Sequence, residues 1–418
     1  MDFISSLLLF CMLISYNSAS GQEWRKYDET NSSLGNSYVR DIVIDSNGVA
    51  WLGTSEDLFS FDGLNWNHYT INVTNSNPNI TYVEDMCLLN NNDILIGTSY
   101  GICIFNTLTK TVDYSLNSNI PFSHIESVGQ SDDGIIWIGE SVTGGRIAYF
   151  SNYSWATFQA FGSSETIYAM TNNGNEMWFG SGSVKKYDNG IFTQYYYGNS
   201  PITQGALTSA LAFDPDGNLW LDAPSNAVPT IYRLMKFDGI NWYEYDTLNC
   251  VIDGSHIQDI YHMDSVIWFS LQFQGVVEFN YYTNECNFYD ENNSPISSYN
   301  FGGLVKDDNG NIFIGTSSGL IIYNEDKIII DAFKYTDLYI YPNPFDELIN
   351  LRFFAETDQN ILISIYNEIG QIVYSSSVEV SFGKIDYPIE IGNFERGIYI
   401  LKSQINNQMV TEKLMKIN

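Results

Sequence analysis

The chain has 418 residues, 15% of them aromatic and 16% charged, with 18 Lys+Arg against 49 Asp+Glu for a net charge of −31. So many aromatics beside so few charges exclude a disordered chain, and the scarcity of cations excludes nucleic acid, whose phosphates must be neutralised. Abundant tyrosine, phenylalanine and glycine with only 10 prolines favour twisted sheet with many tight turns.

In chain order, the first element is an apolar run, Phe3 to Ile14, followed by Ser18-Ala19-Ser20-Gly21, small residues suited to cleavage before Gln22. Residues 1–21 are expected to be a signal peptide, although Asp2 stands where such leaders carry Lys or Arg. A membrane anchor or a buried first strand is the alternative, but the run is short for a bilayer. No later stretch approaches about 18 consecutive apolar residues, so no transmembrane anchor is expected.

From Gln22 one phrase recurs: a turn of Asp, Asn and Gly, a strand ending in an aromatic, an apolar residue and usually Gly, then a further strand. It reads Trp51-Leu52-Gly53, Ile96-Gly97, Trp137-Ile138-Gly139, Trp178-Phe179-Gly180, Trp220-Leu221-Asp222, Trp268-Phe269-Ser270 and Phe313-Ile314-Gly315, at spacings of 44, 42, 41, 42, 48 and 45. A second column lies 13 or 14 residues earlier: Val39, Val83, Ile125, Ile167, Thr208, Ile257 and Phe301. Seven copies at this period predict an all-β fold, a seven-bladed β-propeller over residues 22–330. The second column opens the innermost strand A of each blade, and the aromatic phrase is strand B.

All nine tryptophans fall in two columns, Trp51, Trp137, Trp178, Trp220 and Trp268 in strand B, and Trp24, Trp66, Trp155 and Trp242 in strand D. They are expected between neighbouring sheets, as core. The seventh repeat lacks its own Trp-x-x-Tyr strand. That phrase stands instead at Trp24-Arg25-Lys26-Tyr27, so the first strand should complete the last blade and remove the open edges.

These residues resemble the two-component regulator propeller repeats, most closely in blades one, two, three and seven, with Asp222 and Ser270 departing from the Gly of the pattern. The resemblance implies a sensor propeller of the kind found in membrane-bound hybrid kinases. No kinase region accompanies it here, so the signalling role is not expected to carry over.

After about residue 330 the period stops. A linker over 331–340 leads to Tyr341-Pro342-Asn343-Pro344, a turn that cannot continue a ladder. Residues 341–418 then alternate as short strands of a small immunoglobulin-like β-sandwich. The order Tyr-Pro-Asn-Pro, the Asn367-Glu368-Ile369-Gly370 turn, Gly397-Ile398-Tyr399 and the terminal Lys413 and Lys416 resembles the C-terminal sorting domain of the type IX (Por) secretion system. That resemblance implies the type IX machinery as a partner, passage through an outer-membrane translocon typical of Bacteroidetes, and a secreted or cell-surface product. Cleavage in the linker would release the passenger. An ordinary carbohydrate-binding or immunoglobulin-like module is the alternative.

The residue after each strand A opener should face the central funnel, which nominates Arg40, Glu84, Glu126, Tyr168 and Gln258 as a ligand-binding ring, with Ser209 and Gly302 completing it. His124 and His256 stand at strand A entrances and join that rim. As alternatives, the two histidines could serve a lyase or a metal, and Glu84 with Glu126 a glycoside hydrolase. Asp214-Pro215-Asp216-Gly217-Asn218 and Asp307-Asp308-Asn309-Gly310-Asn311 hint at calcium loops but lack the bidentate Glu of an EF-hand and read better as turns. No zinc spacing, phosphate loop or serine elbow is present, so no metal, cofactor or catalytic residue is assigned. Cys87, Cys103, Cys250 and Cys286 are each placed too far apart by strand position to pair, and four isolated thiols are expected. The expected function is an exported surface protein binding a glycan or a surface protein. A surface polysaccharide lyase or hydrolase and a structural surface component are the rival readings.

Overall fold

The computed structural model describes residues 23–416 apart from 35–36, 64, 72–81, 142–143, 163–164, 204–206, 225–231, 246–254, 264, 298–299, 325–338, 342–344, 346, 356–358, 381–382, 392–393 and 406–407. The leader therefore lies outside the described residues, as do residues 331–338 of the expected linker, Cys250 and Pro342, Asn343 and Pro344 of the tail motif, while the last two linker positions belong to a strand, Tyr339–Tyr341. Among the described residues strand is almost the sole regular structure, the one helical piece being a single 3-10 turn at Ser115–Asn117. No helix of the described residues is long and apolar enough to cross a membrane.

Seven antiparallel four-stranded sheets follow one another, and each strand A packs beside the strand A of the next blade until the seventh meets the first. The first blade shows the pattern: Val39–Ile44, Ala50–Thr54, Leu58–Phe61 and Trp66–Tyr69 run from the axis outward. In the seventh, Phe301–Lys306, Ile312–Thr316 and Gly319–Asn324 are completed by Glu23–Tyr27, with Trp24 opposite Tyr323. The ring is closed by the first strand, as the displaced Trp-x-x-Tyr phrase predicts.

The strand B glycines explain the period. A Cβ on Gly53 would meet Val83 Cγ1 at 2.4 Å, on Gly139 the Ile167 Cβ at 2.7 Å, and on Gly315 the Val39 carbonyl oxygen at 2.8 Å. Each glycine is the seat for the strand A opener of the following blade, so the two sequence columns are two halves of one contact. The strand B tryptophans are buried, while Trp66, Trp155 and Trp242 of strand D are half-buried. Only Trp24 of that outer column is fully enclosed, by Tyr289 and Tyr323 at ring-centroid distances of 5.1 and 4.5 Å.

Blade five departs from the others. Its strand A is only Leu211–Phe213, shorter than the alternation from Thr208 predicts. Asp222, standing in the glycine column, takes the Ser209 and Ala210 amides on its Oδ1 at 2.8 and 3.0 Å, which removes those amides from the ladder.

Strands after Ile329 form a separate compact unit. One sheet orders Tyr339–Tyr341, Leu348–Ala355 and Gly383–Glu390; the other orders Ile372–Val380, Gln359–Tyr366, Gly397–Ile405 and Gln408–Lys416. Ile349, Leu351 and Phe353 from the first meet Ile361, Ile363, Ile365, Leu401 and Leu414 from the second in one buried core, the interior of a sandwich.

One cysteine expectation is corrected. Cys87 and Cys103 are free thiols, but Cys286 is disulfide-bonded. Strand position constrains only residues within a ladder, and Cys286 stands near the start of the outermost strand of its blade, Glu285–Tyr289.

Candidate functional site

The entrances of the innermost strands share one local device. In blades one, two, three and six the ladder slips by one residue just after the opener, between Val39 and Asp41, Val83 and Asp85, Ile125 and Ser127, and Ile257 and Asp259. A bulge leaves the extra residue unpaired and re-aims its side chain. Those extra residues are Arg40, Glu84, Glu126 and Gln258, and all four line a cavity of about 280 Å³ at the axis, joined by Tyr168 and His256. Six of the seven residues singled out from sequence thus meet in one place. The seventh, His124, stands beside it, with Nε2 3.9 Å from Glu84 Oε1.

Most of the polar groups already have partners. Arg40 forms an ion pair with Glu84, whose other oxygen accepts from Ser99 Oγ at 2.6 Å. Ser141 Oγ donates to Glu126 at 2.7 Å. Gln258 Oε1 takes the Phe301 amide at 2.8 Å, so this side chain chiefly joins blade six to blade seven. Tyr168 is 37% exposed and belongs to the cavity lining. His256 Nε2 lies 2.8 Å from Ser209 Oγ and 3.6 Å from Asp222 Oδ2, apart from the surroundings of His124. The remaining histidines are elsewhere: His68 pairs with Asp57 at 2.8 Å on the outer strand, and His262 meets Tyr281 Oη at 3.2 Å.

The sequence reading passed over the deepest layer. Asp41, Asp85 and Asp259 follow the bulged residues and stand half-buried on the cavity wall. Each reaches across to the next blade: Asp41 accepts the Met86 amide at 2.7 Å, Asp85 the Val128 amide at 2.7 Å, and Asp259 the Leu304 amide at 2.6 Å. Burial raises all three, Asp85 to about 6 and Asp259 to about 7, and Asp41 is raised further by the neighbouring charges of Asp85 and Asp259. Burial likewise lifts Asp222 to about 7 and lowers His256. The recurring Val-x-Asp of blades one and two was the available signal.

The two calcium-like segments are occupied by their own turns. Asp214 accepts from Asn218 and from Trp220 Nε1 at 2.9 Å, and Asp307 from the Asn309 and Asn311 amides. Among the described residues no group of three or more His, Cys, Asp or Glu is placed to hold a metal.

In the second unit, Gly370 turns the chain at φ +79°, its amide bonded to the Asn367 carbonyl at 2.9 Å. Gly397 opens its strand, and Tyr399 is buried with its hydroxyl donating to the Glu395 carbonyl at 2.6 Å. Lys413 is exposed, whereas Lys416 is buried with its Nζ 5.6 Å from the Phe345 ring. Tyr341 ends the strand Tyr339–Tyr341. Residues 339–417 match the secretion system C-terminal sorting domain family. The tail is that sorting domain. Residues 33–56 match the two component regulator propeller family, so the chain joins a propeller with a repeat of that kind to a type IX sorting domain. As such it is exported to the cell surface or beyond it, and the sorting domain is its contact with the secretion machinery.

Solved structures resemble it at low identity. Virginiamycin B lyase from Staphylococcus aureus is 12% identical, covering 72% of this chain and 99% of its own, with a TM-score of 0.57. YCF48, solved bound to a D1 peptide, is 12% identical over 75% of this chain and 98% of its own, with a TM-score of 0.54. At this identity they show the propeller fold alone. PorZ of Porphyromonas gingivalis, described as an essential bacterial surface component of the type-IX secretion system, is 15% identical over 97% of this chain, with a TM-score of 0.49. The present chain spans 59% of the PorZ chain. No curated protein matches the sequence.

Proposed function

We propose that the propeller is a surface binding module that holds a small polar ligand, or the terminal unit of a glycan, at the mouth of its funnel. The observation that carries this reading is the convergence of the bulged residues Arg40, Glu84 and Glu126 with Tyr168 on one cavity. Hydrogen-bonding groups from successive blades with a partly exposed tyrosine beside them suit a polyhydroxylated ligand. In this reading residues 1–21 direct the first export step, and cleavage within 331–340 frees the propeller from its sorting domain.

A binding role is favoured over catalysis by the partners of the titratable groups. Glu84 is held by Arg40 and Ser99, and Glu126 by Ser141. Ser209, His256 and Asp222 do meet, but Ser209 Oγ and Asp222 both approach His256 Nε2. A serine-activating relay needs the carboxylate on the opposite ring nitrogen.

The test is binding of the exported protein to an array of glycans and surface polymers, with product analysis of each hit. An intact bound glycan whose binding is lost in Tyr168→Ala supports the proposal. A cleaved glycan overturns it in favour of a lyase or hydrolase.

A further inference from the structure

The funnel wall carries more negative charge than the ring itself neutralises. Glu84 and Glu126 stand at the mouth, Asp41, Asp85 and Asp259 line the depth, and Asp222 lies behind Ser209. Against them the wall presents one guanidinium, Arg40, which is already paired with Glu84. Glu126 is met by a hydroxyl and the three inner aspartates by backbone amides, which are all neutral donors. His124 sits outside beside Glu84, and burial weakens the basicity of His256. The inner carboxyls on this wall hold their protons more firmly than ordinary carboxyls, and an entering cation favours their ionised form. Such a wall repels anions and rewards a cation that enters. Its volume of about 280 Å³ is at the lower end of ligand pockets, roughly 300 Å³, room for one sugar ring rather than a length of polymer.

Building on the funnel reading above, we propose that the unit bound there is an amino sugar bearing a free primary ammonium, the ammonium directed at Glu126 and the inner aspartates and the ring lying on Tyr168. The exposed tyrosine suits a sugar, whose C–H face can lie flat along an aromatic side chain while its hydroxyls meet the polar ring. The large negative charge of the whole chain, −31, carries the same sign outward and draws cations toward the mouth.

The experiment is calorimetric titration of the full exported protein, at neutral pH, with glucosamine, N-acetylglucosamine, glucose and cadaverine. Glucosamine is expected to bind at least about tenfold more tightly than the other three, a single close charge pair sufficing for that ratio. Its affinity should fall with added salt while that of glucose does not. Glu126→Gln should weaken glucosamine about tenfold and glucose much less, and Tyr168→Ala should weaken both. The salt comparison uses the unmodified protein, so it stands even if a variant misfolds. Equal binding of glucosamine and N-acetylglucosamine overturns the ammonium. In that case loss of both in Tyr168→Ala leaves the funnel itself standing. Cadaverine matching glucosamine overturns the sugar and points to a lysine-bearing partner. Glucosamine binding untouched by either substitution lies elsewhere and overturns the funnel reading as well.

Discussion

A Cβ added to Gly180 would stand 2.5 Å from the carbonyl oxygen of Thr208, the residue at the opener position of the next blade. That neighbour is backbone and cannot rotate away. Gly180→Ala is therefore expected to destabilise the propeller by about 1–3 kcal/mol through overpacking. Gly53→Ala meets the Val83 side chain instead and should cost less. Urea midpoints of the two variants check the order, and a neutral Gly180→Ala would show that the blades are not locked by this contact.

Closure of the ring rests on the outer strand supplied by the N-terminus. Trp24 is fully buried between Tyr289 and Tyr323, and removing it leaves a cavity at the seam of blades six and seven. Trp24→Ala should cost about 3–5 kcal/mol. The half-buried Trp66, at the same blade position, should tolerate alanine better. Similar losses for the two would mean that the seam is no more demanding than any other blade.

The aspartates enclosed at the inner strands give the propeller an unusual response to pH. Asp259 rises to about 7 by burial from an ordinary 3.8, so between those values the folded chain holds a proton that the unfolded chain releases. The stability from this group is complete below the ordinary carboxylate range and is lost as pH climbs through about 7. Asp85 and Asp222, raised to about 6 and about 7, act in the same direction. Asp259→Asn imitates the protonated form, so between about pH 5 and about pH 8 it should lose less stability than the unmodified protein. Parallel denaturation profiles would refute this assignment.

Cysteine labelling distinguishes the thiols. In the unfolded, unreduced protein Cys87 and Cys103 should take up an alkylating reagent, while Cys286 should do so only after reduction. In the native protein the burial of Cys103, and the rise of the Cys87 thiol to about 12 with burial, should keep both unreactive. Peptide mapping by mass gives the answer directly.

The sorting domain depends on its last strand. Gln408–Lys416 pairs along the whole of Gly397–Ile405 and contributes Leu414 to the core. Deleting it exposes that core and leaves an unpaired edge. The truncated protein should accumulate before the outer membrane, as fractionation of the exporting cells would reveal. Normal surface delivery would place the sorting signal elsewhere.

Seven blades, their closure and the sandwich were legible because they repeat. The pairing of Gly53 with Val83 and of Gly139 with Ile167 recurs at a fixed interval, and a column shows up without any neighbour being known. The funnel ring followed from the same register, since one position after each opener is one place in space. Asp222 and Cys286 escaped because each departs from its column and acts through a partner distant in sequence or outside a ladder. The inner aspartates escaped for another reason, since a carboxylate bonded to a backbone amide one blade away leaves no mark at its partner. A loop pattern was also passed over: Asn31-Ser32, Asn199-Ser200 and Asn293-Ser294 each fold the D-to-A connection by the same side-chain bonds, ahead of the buried Leu34, Ile202 and Ile296.

The pairing of Trp24 with Tyr323 also sets an order of events as the chain folds. Blades one to six are each built from a single stretch of sequence and can form as that stretch becomes available. The seventh must wait for strands from both ends, so its loop is the longest in the ring and its closure the slowest contact to reach. Until residues 319–324 are present the protein is an open arc with two free edges, the state in which it is most exposed to mispairing and most in need of a chaperone.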